Sequence, residues 1–443
     1  MPARIDRALV RSALQGATTT RHLTVTPGAV DDAGALFIAA FGDRPAIVIA
    51  DETTFAIAGE RVQRSLRAAA ISMTRPLILP VTVSPDYADV TAIRQTISAA
   101  PPETIPIAVG AGTINDLVKR AAFEHGLPYM AVATAASMDG YTASGASLLV
   151  DGIRQTVDCP APVAVVGDTE ILAAAPGAMT AAGYGDLVGK ITAGADWLLA
   201  DALGIEPIVL QVWSMVQDPL RATVAHPERL HETGNEAAIE QLFLGLAVAG
   251  LAIQATGSSR PASGSEHQLA HFDEMMHPLS TLPHGFRVAL GTLAATQLYE
   301  QLLAMPLDHL DPERASAHWP SLAEQEDEVR RTQPTPRMVD RALEEVRAKY
   351  ASPAEVTRRL QAIRAAWPAL SQNLEAQLIP SDELRILLAT AGCPTIPEGS
   401  SLTDRDLRAS YIGARQIRRR YTVLDLAFET GVLTTHESTS TRR

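Results

Sequence analysis

Short β-rich runs alternate with Ala-rich helical runs as far as Asp168, and no other feature restricts the fold of this chain as tightly. PAIVIAD (Pro45–Asp51), PLILPVTV (Pro76–Val83), IPIAVGAG (Ile105–Gly112) and LPYMAVATAAS (Leu127–Ser137) read as strands. Gly59–Ile71, Ala88–Ala100 and Thr113–Gly126 read as the helices between them, after a helical or mobile N-terminal stretch. Strand, helix, strand at these lengths predicts a mostly parallel, Rossmann-like sheet covered on both faces, with ligands beyond the carboxyl ends of the strands. A hairpin is expected within Ala146–Asp168, where Asp151-Gly152 is a turn dipeptide, and the sheet region is expected to close there.

From about Thr169 the texture becomes helical, with long runs at Asp186–Leu203, Gly234–Ala255, His284–Leu302 and Pro336–Lys349. Pro320–Pro336 reads as an exposed connection or a solvated helix, and Thr434–Arg443 as a frayed tail. An α/β N-terminal domain over 1–180 and an all-helical domain over 181–443 follow, because 443 residues are too many for one core.

Lys plus Arg number 37 against 50 Asp plus Glu, a formal charge of −13, which argues against nucleic acid or an anionic membrane as the main partner. Leu242–Ala255 is shorter than the roughly 20 residues of a membrane span and reads as a buried helix. The two cysteines, Cys159 and Cys393, and an N-terminus without a signal-peptide pattern point to the cytoplasm. There is no G-x-S-x-G elbow, P-loop or CxxC pair, so serine acyl transfer and P-loop phosphoryl transfer rank low.

Two clusters carry chemistry. Gly110 and Gly112 form a glycine turn ahead of Thr113, Asn115 and Asp116; glycines allow close backbone approach and the following helix offers amides to a pyrophosphate. Asn115 stands where a dinucleotide fingerprint has its third glycine, so an ordinary βα turn competes with the nucleotide reading. Asp51 is placed to accept from an adenosine ribose or to cap a turn, and Asp139-Gly140 is a turn signal first.

The second cluster is Asp186 with Lys190, and His267 with His271, each pair four apart on one helical face, followed by His284. Two neutral imidazoles and a carboxylate suit zinc, nickel or iron and leave positions for substrate. A surface pair of histidines, and an Asp186–Lys190 ion pair, are the plain alternatives.

Set in order, the blocks IVIADETTFAIAG, GAGTINDLVK, LPYMAVATAASMDGYTASGASL, AAGYGDLVGKITAGADW, PASGSEHQLAHFDEM, HGFRVALGTLAA and RASYIGARQIRRRYTVLDLA resemble the bacterial sn-glycerol-1-phosphate dehydrogenases. These belong to the superfamily of glycerol dehydrogenase, iron-containing alcohol dehydrogenases and 3-dehydroquinate synthase. The resemblance implies a dehydroquinate synthase-like fold, NAD or NADP, one divalent metal and reversible reduction of dihydroxyacetone phosphate, within phospholipid metabolism. It implies Asp186, His267 and His284 as metal ligands, with Gly110, Gly112, Thr113, Asn115 and Asp116 lining the dinucleotide phosphates. Asp51 falls near the ribose, Thr134 and Ser137 in the cofactor pocket, Asp139 at the substrate and His271 beside the metal as proton relay. Lys190 is implied at the substrate or as ligand support. It replaces a histidine of the iron-containing alcohol dehydrogenases, and Asp186 replaces a glutamate of dehydroquinate synthase. Glycerol dehydrogenase, a metal-dependent phospho-sugar synthase or lyase, and a nucleotide sensor stay as alternatives. Arg418, Arg419 and Arg420 are candidates for the substrate phosphate, Arg44 for a 2′-phosphate beside Asp51, and a homodimer or larger homo-oligomer is usual for the superfamily.

Overall fold

Ala46–Asp51 is apolar at almost every position, and such a strand is stable only with both of its faces covered. The computed structural model, which describes residues 4–150, 153–277, 280–396 and 404–433, places it inside a six-stranded parallel sheet. The strands are β1 (His22–Thr26), β2 (Ala46–Asp51), β3 (Leu77–Leu79), β4 (Ile105–Gly110), β5 (Met130–Ala133) and β8 (Ala164–Asp168), in the order β1-β8-β5-β4-β2-β3. Side chains alternate along β2: Ile47 and Ile49 join one core, Ala46, Val48 and Ala50 the other. From β2 the chain steps outward to β3 and then returns to the other side of β2 as β4. That reversal opens a crevice at the carboxyl ends of β2 and β4, where Asp51 and Gly110 stand.

In the sheet half three expectations change. The N-terminal stretch holds the helix Arg7–Gly16 and also β1, an edge strand paired with β8; all five of its residues are half-buried, so no alternation marks it. The strand expected over Pro76–Val83 shrinks to β3. The hairpin consists of β6 (Ala146–Val150) and β7 (Ile153–Val157) as a separate antiparallel pair, whereas Ala164–Asp168 is a fully buried parallel strand beside β5. The Asp151-Gly152 turn lies outside the described residues, as does the tail from Thr434.

Among the described residues every element after β8 is helical. Gly177–Ala202 begins well before Asp186, because Pro176 ends the preceding loop and the Gly- and Ala-rich turns pack closely enough to be buried. Glu236–Thr256 has 21 residues and is long and apolar enough to cross a membrane, but 72% of its apolar window is buried inside the structure. Ser265–Met276, His284–Leu303 and Pro336–Lys349 follow, and the polar Pro320–Pro336 segment contains the helix Leu322–Thr332, started by a Ser321–Glu324 capping box.

One loop is fastened to both halves. Buried Lys119, on the helix Gly112–Glu124, donates to the carbonyls of Gly140, Ala143 and Gly145 at 2.8, 3.0 and 2.9 Å. From the helical side, Thr142 Oγ1 donates to the Ala247 carbonyl at 2.7 Å, and Gln254 Nε2 donates to the Thr142 carbonyl. Gly250 is required there, since a Cβ would lie 2.2 Å from Thr142 Oγ1. Replacing Lys119 with Met takes the lysine donor from the carbonyls of Ala143 and Gly145 and leaves that of Gly140 with Asn115 Nδ2 alone. Urea unfolding should show a loss of roughly 3–5 kcal/mol; a loss within error would show that the loop is held by its other contacts.

Candidate active site

Glycines let the Asp186 helix approach its neighbours closely enough to build a cluster. A Cβ on Gly183 would lie 1.8 Å from the Ala136 carbonyl oxygen, and one on Gly285 would lie 1.8 Å from that of Ala182. These contacts bring Asp186, from the middle of Gly177–Ala202, against His284, the first residue of its helix, and His267, in the first turn of Ser265–Met276. The ligand atoms of Asp186, His267 and His284 all lie within 4.8 Å of one another. The three rings of His267, His271 and His284 have centroids 5.4 to 6.1 Å apart.

Each imidazole is oriented from behind. His267 Nδ1 lies 2.7 Å from Glu266 Oε1, and Glu266 in turn accepts from the Gly264 amide and Thr192 Oγ1. Glu274 holds His284 Nδ1 through Oε1 at 2.8 Å and His271 Nδ1 through Oε2 at 3.1 Å. With Nδ1–H donating, the lone pair of Nε2 is free for a cation, as metal-binding histidines require. One carboxylate and two imidazoles so prepared fit a divalent ion with open positions for substrate. His271, Glu274 and His284 form a second close group, but Glu274 spends its two oxygens on the two rings and works as a bracket.

Asp186 Oδ1 accepts from Lys190 Nζ at 2.7 Å and Oδ2 from the Asp139 amide at 2.9 Å. Lys190 also donates to Asp139 Oδ2 at 2.7 Å and has no exposed side-chain surface. Burial works against ionised Asp186, but the Lys190 ammonium and His267 outweigh it and hold its pKa well below the carboxylate range. Burial likewise opposes the charge of Lys190, and Asp139 and Asp186 outweigh it, so its pKa is raised. For His267, burial is overcome by Asp186 and Glu266, and its pKa rises to about 8. Burial dominates at His271 and pushes it down to about 4.

The crevice side is built from β4 and the helix after it. Ala111, at the N-cap of Gly112–Glu124, offers no side-chain acceptor, so the half-buried opening at Gly112 and Thr113 presents amides to an anion. A Cβ on Gly110 would lie 2.6 Å from Ile114 Cβ, and one on Gly112 would lie 2.7 Å from Met138 Sδ. Thr134 and Ser137 follow the end of β5, and the Thr134 amide bonds the Gly110 carbonyl at 3.2 Å. Asp51 Oδ1 caps Thr54, while Oδ2 has no partner among the described residues. Met138, over Gly112, precedes Asp139, which touches Asp186 and Lys190, so this stretch links the crevice directly to the cluster.

Two residues expected at the phosphates have their side chains elsewhere. Asn115 bonds the Gly140 carbonyl and Tyr129, and Asp116 accepts from Asn115 and from the Ser147 amide, both in the packing between helix and loop. Arg44 bonds the Glu103 carbonyl before the start of β4, at the opposite end of the strands from Asp51. Arg419 pairs with Glu345 on the surface, and Arg420 holds the Ser263 carbonyl. Glu266, Glu274 and Lys119 were not singled out from sequence; the carboxylate beside His267 and the one three residues after His271 were the available signal.

A family model described as iron-containing alcohol dehydrogenase matches residues 24–176. A glycerol-1-phosphate dehydrogenase [NAD(P)+] of Bacillus velezensis is 36% identical over 260 residues, 58% of this chain and 66% of that protein. One of Bacillus licheniformis is 34% identical over 305 residues, 67% of this chain and 75% of that protein. Among solved structures, the alcohol dehydrogenase from Oenococcus oeni superimposes with a TM-score of 0.57 at 14% identity, covering 94% of this chain and 99% of its own. That likeness supports the fold, a parallel-sheet domain followed by helices.

Two outcomes test the centre. Glu274→Gln should weaken divalent-metal affinity roughly 10–100-fold, as loss of an orienting partner does elsewhere; unchanged affinity in a competition titration would remove Glu274 from that role. In the metal-free protein His267 carries a proton below about 8, which a metal must displace. Affinity should therefore fall about tenfold per pH unit on acidification below that value, and a flat profile would show that His267 is not a ligand.

Proposed function

The chain belongs to the glycerol-1-phosphate dehydrogenase family, oxidoreductases acting on CH–OH groups, and we propose that it reversibly reduces dihydroxyacetone phosphate to sn-glycerol 1-phosphate with NADH or NADPH. The observation that carries this reading is the convergence of Asp186, His267 and His284 beside the Met138–Asp139 stretch that also overlies the Gly112 turn. A divalent zinc, nickel or iron ion held by Asp186, His267 and His284 would supply Lewis acidity, and a dinucleotide seated at the Gly112 turn would supply the hydride chemistry.

The protein's own groups prepare both. Gly112 and Thr113 amides hold the pyrophosphate, Asp51 Oδ2 accepts from a ribose hydroxyl, and Thr134 and Ser137 flank the cofactor from the end of β5. Glu266 and Glu274 fix the tautomers of His267 and His284. In the oxidation direction His271, neutral at physiological pH, accepts the alcohol proton, and Glu274 on Nδ1 steadies the imidazolium that forms. Asp139 faces the substrate, and Lys190, engaged by both Asp139 and Asp186, supports the ligand and does not bind phosphate. The 1–180 and 181–443 division puts the dinucleotide on the first part and the metal on the second. We read the protein as a cytoplasmic homo-oligomer.

The test is turnover of dihydroxyacetone phosphate with reduced dinucleotide, followed by nicotinamide absorbance before and after chelation. Activity should fall more than about 100-fold on metal removal and return on readdition. Dinucleotide binding without turnover in the metal-loaded enzyme would sink the reading in favour of a sensor, and preference for unphosphorylated glycerol would move it to glycerol dehydrogenase. Lys190→Met should lower kcat alike for phosphorylated and unphosphorylated substrates; a rise in KM confined to the phosphorylated one would contradict the support role.

A further inference from the structure

A cavity of about 850 Å³ lies between the two halves of the chain. Ser144, Gly145 and Thr156 wall one side, and Arg341 with Arg418, Arg419 and Arg420 wall the other. Its basic wall reaches toward the histidine cluster: Arg418 is near enough to His271 to help lower its pKa, and Arg420 Nη1 holds the Ser263 carbonyl at 2.6 Å. The acidic groups on its wall are largely spent. Glu206 accepts from Arg260 at 2.7 Å and Glu345 from Arg419 at 3.0 Å, which leaves Asp158 on the rim. Arg341 uses Nη1 on Gln155, and Arg420 uses both terminal nitrogens on Ser263 and Ser258. Arg418 has no hydrogen-bond or ion-pair partner among the described residues, although only part of its surface reaches solvent.

Three cations therefore face one space with a single unpaired carboxylate, in a chain whose overall charge is −13. A guanidinium kept from water needs an acceptor, and its planar fork matches two oxygens of a phosphate or a carboxylate; three cations around one space favour the more highly charged phosphate. Burial and the neighbouring arginines push Arg420 down to about 9 and lower Arg418 as well, a strain that a bound anion relieves.

We propose that this cavity is a phosphate-binding site in which Arg418 takes the anion in a bidentate grip and Arg420 and Arg341 complete its neutralisation. The phosphate has two possible sources: that of the three-carbon substrate, in which case the inference rests on the dehydrogenase reading, or a separate phosphorylated ligand.

Calorimetric titration of inorganic phosphate into the full-length, metal-loaded protein tests the site without requiring turnover, so its failure is distinct from failure of the dehydrogenase assignment. Wild type should bind, Arg418→Gln should bind at least tenfold more weakly, and Arg418→Lys should recover part of the loss; the Lys variant keeps the test open if the Gln variant does not fold. Absence of phosphate binding by wild type, or equal binding by wild type and Arg418→Gln, overturns the proposal. Repeating the wild-type titration with saturating dihydroxyacetone phosphate assigns the source. Suppression places the substrate's phosphate at Arg418, and persistence supports the site with a second phosphorylated ligand.

Discussion

Asp186 has no exposed surface, and an ionised carboxylate so placed persists only when cations and amides surround it. Lys190 and the Asp139 amide take its two oxygens, and His267 Nε2 stands 3.5 Å from Oδ1. One side chain thereby joins the long helix Gly177–Ala202, the loop after β5 and the helix Ser265–Met276. The rest of the centre is arranged around that charge. Lys190 lies one turn along from Asp186, where it balances two carboxylates.

Much of this was legible in the residues. Continuous apolar runs marked β2, β4 and β5 because strands covered on both faces need no polar side. Asp186, His267 and His284 read as three helix ends that could converge in one cleft; their side chains do meet, with His267 and His284 at helix starts and Asp186 in the middle of its helix. β1 escaped notice because half-burial along its whole length leaves no periodic signature. The start of Gly177–Ala202 is not marked in the sequence because glycine and alanine carry little amphipathic signal, and only the close packing of Gly183 and Gly285 reveals why they are there.

Side-chain direction was the larger loss. Asn115 and Asp116 share a turn with Gly112, yet the helix rotates them toward Gly140 and Ser147, and no local pattern says which way a first-turn residue points. Arg44 is near Asp51 in sequence but at the other end of the strand in space. Glu266 and Glu274 looked like two of many acids, since their importance comes from the imidazoles they hold.

The Asp139–Gly145 loop is stitched to the sheet side by Lys119 and to the helical side by Thr142 and Gln254. Such a double attachment makes it a tie: displacing either half would have to stretch hydrogen bonds that the other half anchors.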